Sequence, residues 1–218
     1  MDQTHDRPFR TLWIGVILLA LIIAGAVALN RLKGRDAELP PLPVIGKIAP
    51  FALTNQAGGL TTLDDLRGKV WLADIIFTRC PGPCATMTRQ MAMIQAALPK
   101  DSNARLISLT TDPEFDSPEV LKRYGEKFGS DFGRWRFLTG TKLEIAALAG
   151  DSLKLTALEK RPEDRSSADD LFIHSTIFVL VDKQARLRGA FETGGEGIEW
   201  TNVQPAILTA IRQLENER

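Results

Sequence analysis

Cys80-Pro81-Gly82-Pro83-Cys84 is the stretch of this sequence best equipped for chemistry, and it holds the chain's only two cysteines. It lies where an apolar, strand-like run gives way to a helical one. Pro83 suits a first helical turn, because the N–H it lacks would have no partner there. Free backbone N–H groups and the helix dipole at such a start favour negative charge, so a thiol ionises more readily. Arg79 adds a positive charge beside Cys80. If both cysteines were helical, their Cα atoms would stand about 6.2 Å apart, within disulfide range. The pair could then open and close without unfolding the domain. The same spacing places two sulfurs on one face, where they can chelate a soft ion such as Cu(I). A purely structural disulfide is the plain alternative, but a bridge closing so short a loop removes little chain entropy.

The chain has two histidines, His5 and His174, so histidine chemistry in the folded domain must use His174. By residue type alone it is as well read as an ordinary half-buried histidine, although imidazole is a good copper ligand. Met87, Met91 and Met93 follow the cysteines. Thioethers bind Cu(I), but at helical spacing methionines read first as core filling or a partner surface. Asp74 interrupts the apolar run before the motif. It reads equally as a proton-transfer group or as a carboxylate paired with a base. Gly194, Gly195 and Gly197 do not sit between a strand and a helix in nucleotide-binding fashion and read as a loop.

The elements that must position these residues follow from periodicity and punctuation. Phe51 to Thr54 reads as a short strand and Val70 to Phe77 as a buried one. Ala85 to Leu98 is helical up to Pro99. Arg105 to Thr110 is a strand. Ser117-Pro118 opens a helix that runs to about Phe128. Trp135 to Thr139 is a strand and Thr141 to Ala149 a short helix. Glu159 to Asp170 is a polar excursion. His174 to Val181 is a strand with a hairpin partner, Arg186 to Phe191, and Val203 to Leu214 is a closing helix. Strands alternating with helices, then a hairpin and a helix, give an α/β sandwich.

Leu12 to Leu29 is free of charge and, at helical rise, spans about 27 Å, close to a bilayer's hydrocarbon thickness. It is expected to be a single transmembrane anchor. The alternative is a signal peptide cleaved after Ala26-Val27-Ala28. Arg7 and Arg10 on one side and Arg31, Lys33 and Arg35 on the other leave the orientation undecided by charge. Arg31 to Pro43 is a proline-containing linker. The division is therefore 1–10 as a short cytoplasmic tail, 11–30 as the membrane helix, 31–43 as the linker and 44–218 as the folded domain. Lys plus Arg equals Asp plus Glu, 27 against 27, and this balance argues against nucleic acid as a partner.

FTRCPGPC, SLTTDPEFDSPEVLKRYGEKFG and HSTIFVLVDKQARLRG together resemble the Sco/SenC family of copper proteins, over about Ile48 to the C-terminus. The resemblance implies a thioredoxin-like three-layer fold on the outer face of an energy-coupling membrane. For a bacterial chain that means an inner-membrane anchor and a periplasmic domain. It implies one copper ion held by Cys80, Cys84 and His174, and a part in assembling the dinuclear copper site of cytochrome c oxidase. In the thioredoxin-like pattern His174-Ser175-Thr176 takes the place of a cis-proline segment that faces the cysteines. Three positions depart from the family. Ile173 stands where an acid often precedes the histidine, Arg79 where a histidine often precedes the first cysteine, and Pro-Gly-Pro where an acid often lies between the cysteines. Fewer acids should weaken attraction for Cu(II).

Three activities are therefore weighed. One is a metallochaperone serving a cytochrome c oxidase subunit or another periplasmic copper or thiol client. The second is a thiol–disulfide oxidoreductase using the Cys80–Cys84 pair. The third, a thiol peroxidase, is disfavoured because Thr78 lies two residues before Cys80 rather than three. Asp112 and Asp116 match the family and are expected to serve a turn and a helix start.

Overall fold

The computed structural model describes the backbone of residues 7–33, 40–155, 157–165, 172–174 and 176–217. The chain divides into two compact units, Met1–Pro41 and Leu42–Arg218. The first holds helix α1, Arg7–Lys33.

In the second unit the elements run β1 (Gly46–Lys47), β2 (Ala52–Asn55), β3 (Leu60–Thr62), α2 (Leu63–Leu66), β4 (Trp71–Ile76), α3 (Cys84–Ala97), β5 (Arg105–Thr110), α4 (Pro118–Lys127), β6 (Trp135–Thr139) and α5 (Lys142–Ala146). A π-helical turn, Ala147–Ser152, extends α5. Then come β7 (Ala157–Glu159), a 3-10 turn at Pro162–Asp164, β8 (Phe172–His174), β9 (Ile177–Val181), β10 (Arg186–Glu192) and α6 (Trp200–Asn216).

Eight strands form one mixed sheet in the order β1-β10-β9-β4-β5-β6-β2-β3. Strands β4, β5 and β6 are parallel, and β9 runs antiparallel to β4. All six residues of β4 are buried, as befits a central strand covered on both faces. Alternation sorts its side chains. Leu72 and Ile76 join Met87, Met91 and Ile94 of α3, Leu121 of α4 and Ile207 and Ile211 of α6. Trp71, Ala73 and Ile75 join Leu63 and Leu66 of α2 and Ile145 of α5. Helices therefore cover both faces of the sheet, giving the three layers expected.

The transmembrane span expected at 11–30 is not met by the structure. Among the described residues no helix is long and apolar enough to cross a membrane. Arg7, Arg10, Arg31 and Lys33 occupy the two ends of α1.

The single strand expected from His174 to Val181 is two strands. Ile177–Val181 lies in the main sheet, where its last partner is Glu192 of β10. Upstream of that pair the ladder ends, because β10 ends. The chain pairs instead with β7, His174 opposite Ala157 and Phe172 opposite Glu159, in a separate two-stranded sheet. The polar excursion at Glu159–Asp170 thus carries the end of a strand and a 3-10 turn, and its residues 166–170 lie outside the described residues.

Candidate metal centre

The cysteine corner is built on the C-terminal end of β4. Phe77 is buried at its end, and the Cys80 amide donates to the Phe77 carbonyl at 3.2 Å, closing a turn through Thr78 and Arg79. Pro81, Gly82 and Pro83 are exposed. Pro83 is the cap residue of α3, and its carbonyl accepts from the amides of Thr86 and Met87 at 2.9 and 3.0 Å. Cys84 is therefore the first residue of the helix, while Cys80 stays in the turn before it. The two are not on one helical face.

Their side chains are nonetheless joined by a hydrogen bond. No disulfide joins the two cysteines. Cys84 is 1% exposed, whereas Cys80 is partly exposed. The Gly82 amide donates to the Cys80 sulfur at 3.3 Å, which favours negative charge on that atom. Cys84 responds in the opposite direction from the helix-start expectation. Its hydrogen bond to Cys80 pushes its thiol up, burial and the charge of Cys80 push it further, and a bond involving the Phe77 backbone only partly opposes them. The pair is thus asymmetric, with an accessible sulfur at 80 and a buried, protonated one at 84.

Arg79 does not lend its whole charge to Cys80. Its Nε donates to Asp112 Oδ2 at 2.8 Å, and its guanidinium lies 4.5 Å from the centre of the Phe115 ring. Asp74 is fully buried in β4, opposite Ser108 of β5. By the alternation of β4 it shares the face of Leu72 and Ile76, which pack toward α3, and its charge adds to the rise of the Cys84 thiol and the Tyr124 phenol. Met87 and Met91 are buried in the core and Met93 is exposed, which places the first two as packing.

Sequence reasoning missed the part played by Asp116. Ser117 caps α4, its hydroxyl accepting from the Val120 amide at 3.4 Å. That leaves the fully buried Asp116 carboxylate to accept from Thr78 and Thr110. The available signal was the Asp-Ser-Pro order itself: with serine serving as the cap, the aspartate before it needs other donors.

His174 has its backbone in β8, and its side chain lies outside the described residues, as does all of Ser175. The neighbouring Thr176 is anchored, because its carbonyl accepts from the Thr193 amide and hydroxyl. Gly194, Gly195 and Gly197 lie in the loop after β10. Gly195 and Gly197 have φ of +123° and +78°, which only glycine adopts without strain. Among the described residues no group of three or more His, Cys, Asp or Glu is arranged to hold a metal ion. The structure thus brings Cys80 and Cys84 together. Their donor chemistry fits a soft ion and lacks a third ligand among the described residues.

Three comparisons bear on this arrangement. Residues 45–204 match the SCO1/SenC family. The SCO1 protein homolog of Bacillus subtilis is 37% identical over 147 residues, covering 66% of this chain and 73% of the relative. The solved structure of BsSco, described as having a disulfide switch and as a member of the Sco family of cytochrome c oxidase assembly proteins, is 31% identical. It has a TM-score of 0.66 and covers 82% of this chain and 100% of that one. Bradyrhizobium japonicum ScoI, solved with copper bound, shares the fold at 24% identity and a TM-score of 0.64, over 77% of this chain and 99% of its own.

Proposed function

This chain belongs to the SCO1/SenC family and has its thioredoxin-like α/β fold, and from that premise we propose that it carries one copper ion on Cys80, Cys84 and His174 and delivers it to a respiratory copper site. The supporting observation is the hydrogen bond between two unbridged cysteines where β4 hands over to α3, one partly exposed and one buried. Paired thiolates suit Cu(I), and an added imidazole extends the set toward Cu(II). The accessible Cys80 is the sulfur a client site would meet first. The client is a subunit of cytochrome c oxidase or another copper or thiol protein. The domain works in the bacterial periplasm, next to the inner membrane. Exposed apolar side chains from Trp13 to Ile23 support association of the N-terminal segment with lipid.

The decisive experiment is anaerobic copper titration of the reduced full chain. One equivalent is expected to bind, with affinity falling on His174→Ala and binding lost on Cys80→Ser with Cys84→Ser. Unchanged affinity in His174→Ala would remove the histidine from the site.

The same asymmetry favours a second activity, thiol–disulfide exchange. The Cys80 thiolate would attack a client disulfide, forming a mixed disulfide and releasing one client thiolate. Cys84 sulfur, giving up its proton, would then attack Cys80 sulfur and release the second client thiolate. The client gains two electrons and the pair closes to a disulfide. Turnover of a disulfide substrate by the reduced chain tests this. Its absence under conditions where a thioredoxin reacts would leave copper carriage alone.

A further inference from the structure

Two parallel strands, β4 and β5, end side by side beneath the cysteine corner. Asp116 sits across their ends and is fully buried. Its Oδ1 accepts from the Thr78 hydroxyl at 2.5 Å. Its Oδ2 accepts from the Thr78 amide at 3.1 Å and from the Thr110 hydroxyl at 2.5 Å. Its own amide donates to the Asp112 carbonyl at 2.8 Å. Three donors therefore converge on one carboxylate, and two of them belong to the residue two before Cys80.

Removing a carboxylate from water is costly unless its lone pairs are filled by good donors. Asparagine would occupy the same space at lower cost, but it offers one acceptor oxygen where three donors arrive. The carboxylate can hold Thr78 at both its backbone and its side chain. The turn that follows is closed by the Cys80 amide on the Phe77 carbonyl. Thr78 is thus pinned inside the turn that sets where the Cys80 sulfur sits.

We propose that Asp116 is a positioning residue: acting through Thr78, it holds the Cys80 turn in the shape that keeps the Cys80 and Cys84 sulfurs in contact. This rests on the reading of those cysteines as the working pair. A loosened turn spreads the Cys80 sulfur over more positions, so closing the disulfide or gripping an ion with both sulfurs costs more conformational entropy.

The test is the equilibrium of the full chain with glutathione redox buffers, which reads the effective concentration of one thiol toward the other, together with copper titration and urea unfolding. Asp116→Asn and Thr78→Val are expected to lower the effective concentration by about tenfold. Thr78→Ser, which keeps the hydroxyl, is expected to restore it. Ser152→Ala removes a bond to the Ala49 amide, away from the corner, and serves as a comparison for lost stability alone. Wild-type effective concentration in both Asp116→Asn and Thr78→Val overturns the proposal. So does a Ser152→Ala variant that falls as far as Thr78→Val at equal loss of stability. If Asp116→Asn does not fold, the Thr78→Val and Thr78→Ser pair decides. A wild-type chain that neither closes its disulfide nor binds copper overturns the functional reading instead.

Discussion

Thr193 donates both its amide and its hydroxyl to the carbonyl oxygen of Thr176, at 2.7 and 2.9 Å. The Thr193 carbonyl in turn accepts from Gln90 Nε2 at 2.8 Å. This buried chain ties α3, which Cys84 opens, to the segment that follows His174. Gln90→Leu should strand the Thr193 carbonyl and cost about 1–2 kcal/mol. Urea unfolding checks this, and a stability equal to wild type would show that the bond is replaced.

Cys80 and Cys84 should differ sharply toward a soluble alkylating reagent. Cys84 is 1% exposed and Cys80 is partly exposed. Brief iodoacetamide treatment of the reduced chain, followed by peptide mass analysis, should label Cys80 first. Equal labelling of the two under native conditions would contradict the asymmetry described above.

Acid stability should depend on Asp182. Burial raises this carboxyl, but bonds from Arg188, from Arg186 and from the Gln184 amide outweigh burial and hold it below its ordinary value of 3.8. Glu217 also faces Arg188, at 2.7 Å. A carboxyl lowered on folding stabilises above its unfolded pKa, and that contribution is lost as pH falls through the folded one. Denaturant midpoints should therefore drop as pH is lowered below about 3.8. Asp182→Asn should start from lower stability and lose less over that range.

Arg188 should be among the costliest polar positions to truncate. It is 3% exposed and pairs with the 2% exposed Asp182 at 2.8 Å. It also donates to the Leu42 and Pro43 carbonyls. A register shift between Leu187 and Gly189 in β10 accompanies its position, and bulges of this kind re-aim a side chain. Arg188→Ala should cost about 3–5 kcal/mol, the range for breaking a buried pair. Guanidinium unfolding measures it.

Tyr124 is the chain's single tyrosine, so ultraviolet titration of its phenol reports one site. Burial pushes it above the ordinary value of 10, the Thr88 hydroxyl opposes this, and the charges of Cys84, Asp74 and Cys80 add to the rise. A phenol raised on folding stabilises below its unfolded pKa, and the contribution is lost as pH rises through the folded one. Ionisation should therefore appear well above pH 10 and together with unfolding. A reversible titration at the ordinary value in folded protein would contradict this burial.

Sequence by itself settled most of the regular elements. The buried strand at 71–76, the Ser117-Pro118 helix start and the Arg105–Thr110 and Trp135–Thr139 strands were legible because each is fixed by its own residues. The Cys80/Cys84 pair was legible as a candidate from its residue types and spacing, but its expected placement on one helical face was not met, because α3 begins only at Cys84. Tertiary structure decided the rest. The strand after His174 split because its sheet partner ended, a fact held in β10 rather than in the strand. The two thiols became unequal because one is buried under the core while the other sits in a turn. Asp116, thirty-odd residues from Cys80 in the chain, reached Thr78 only because β4 and β5 lie side by side. Burial, ladder length and long-range hydrogen bonds are relations between segments, and no single segment carries them.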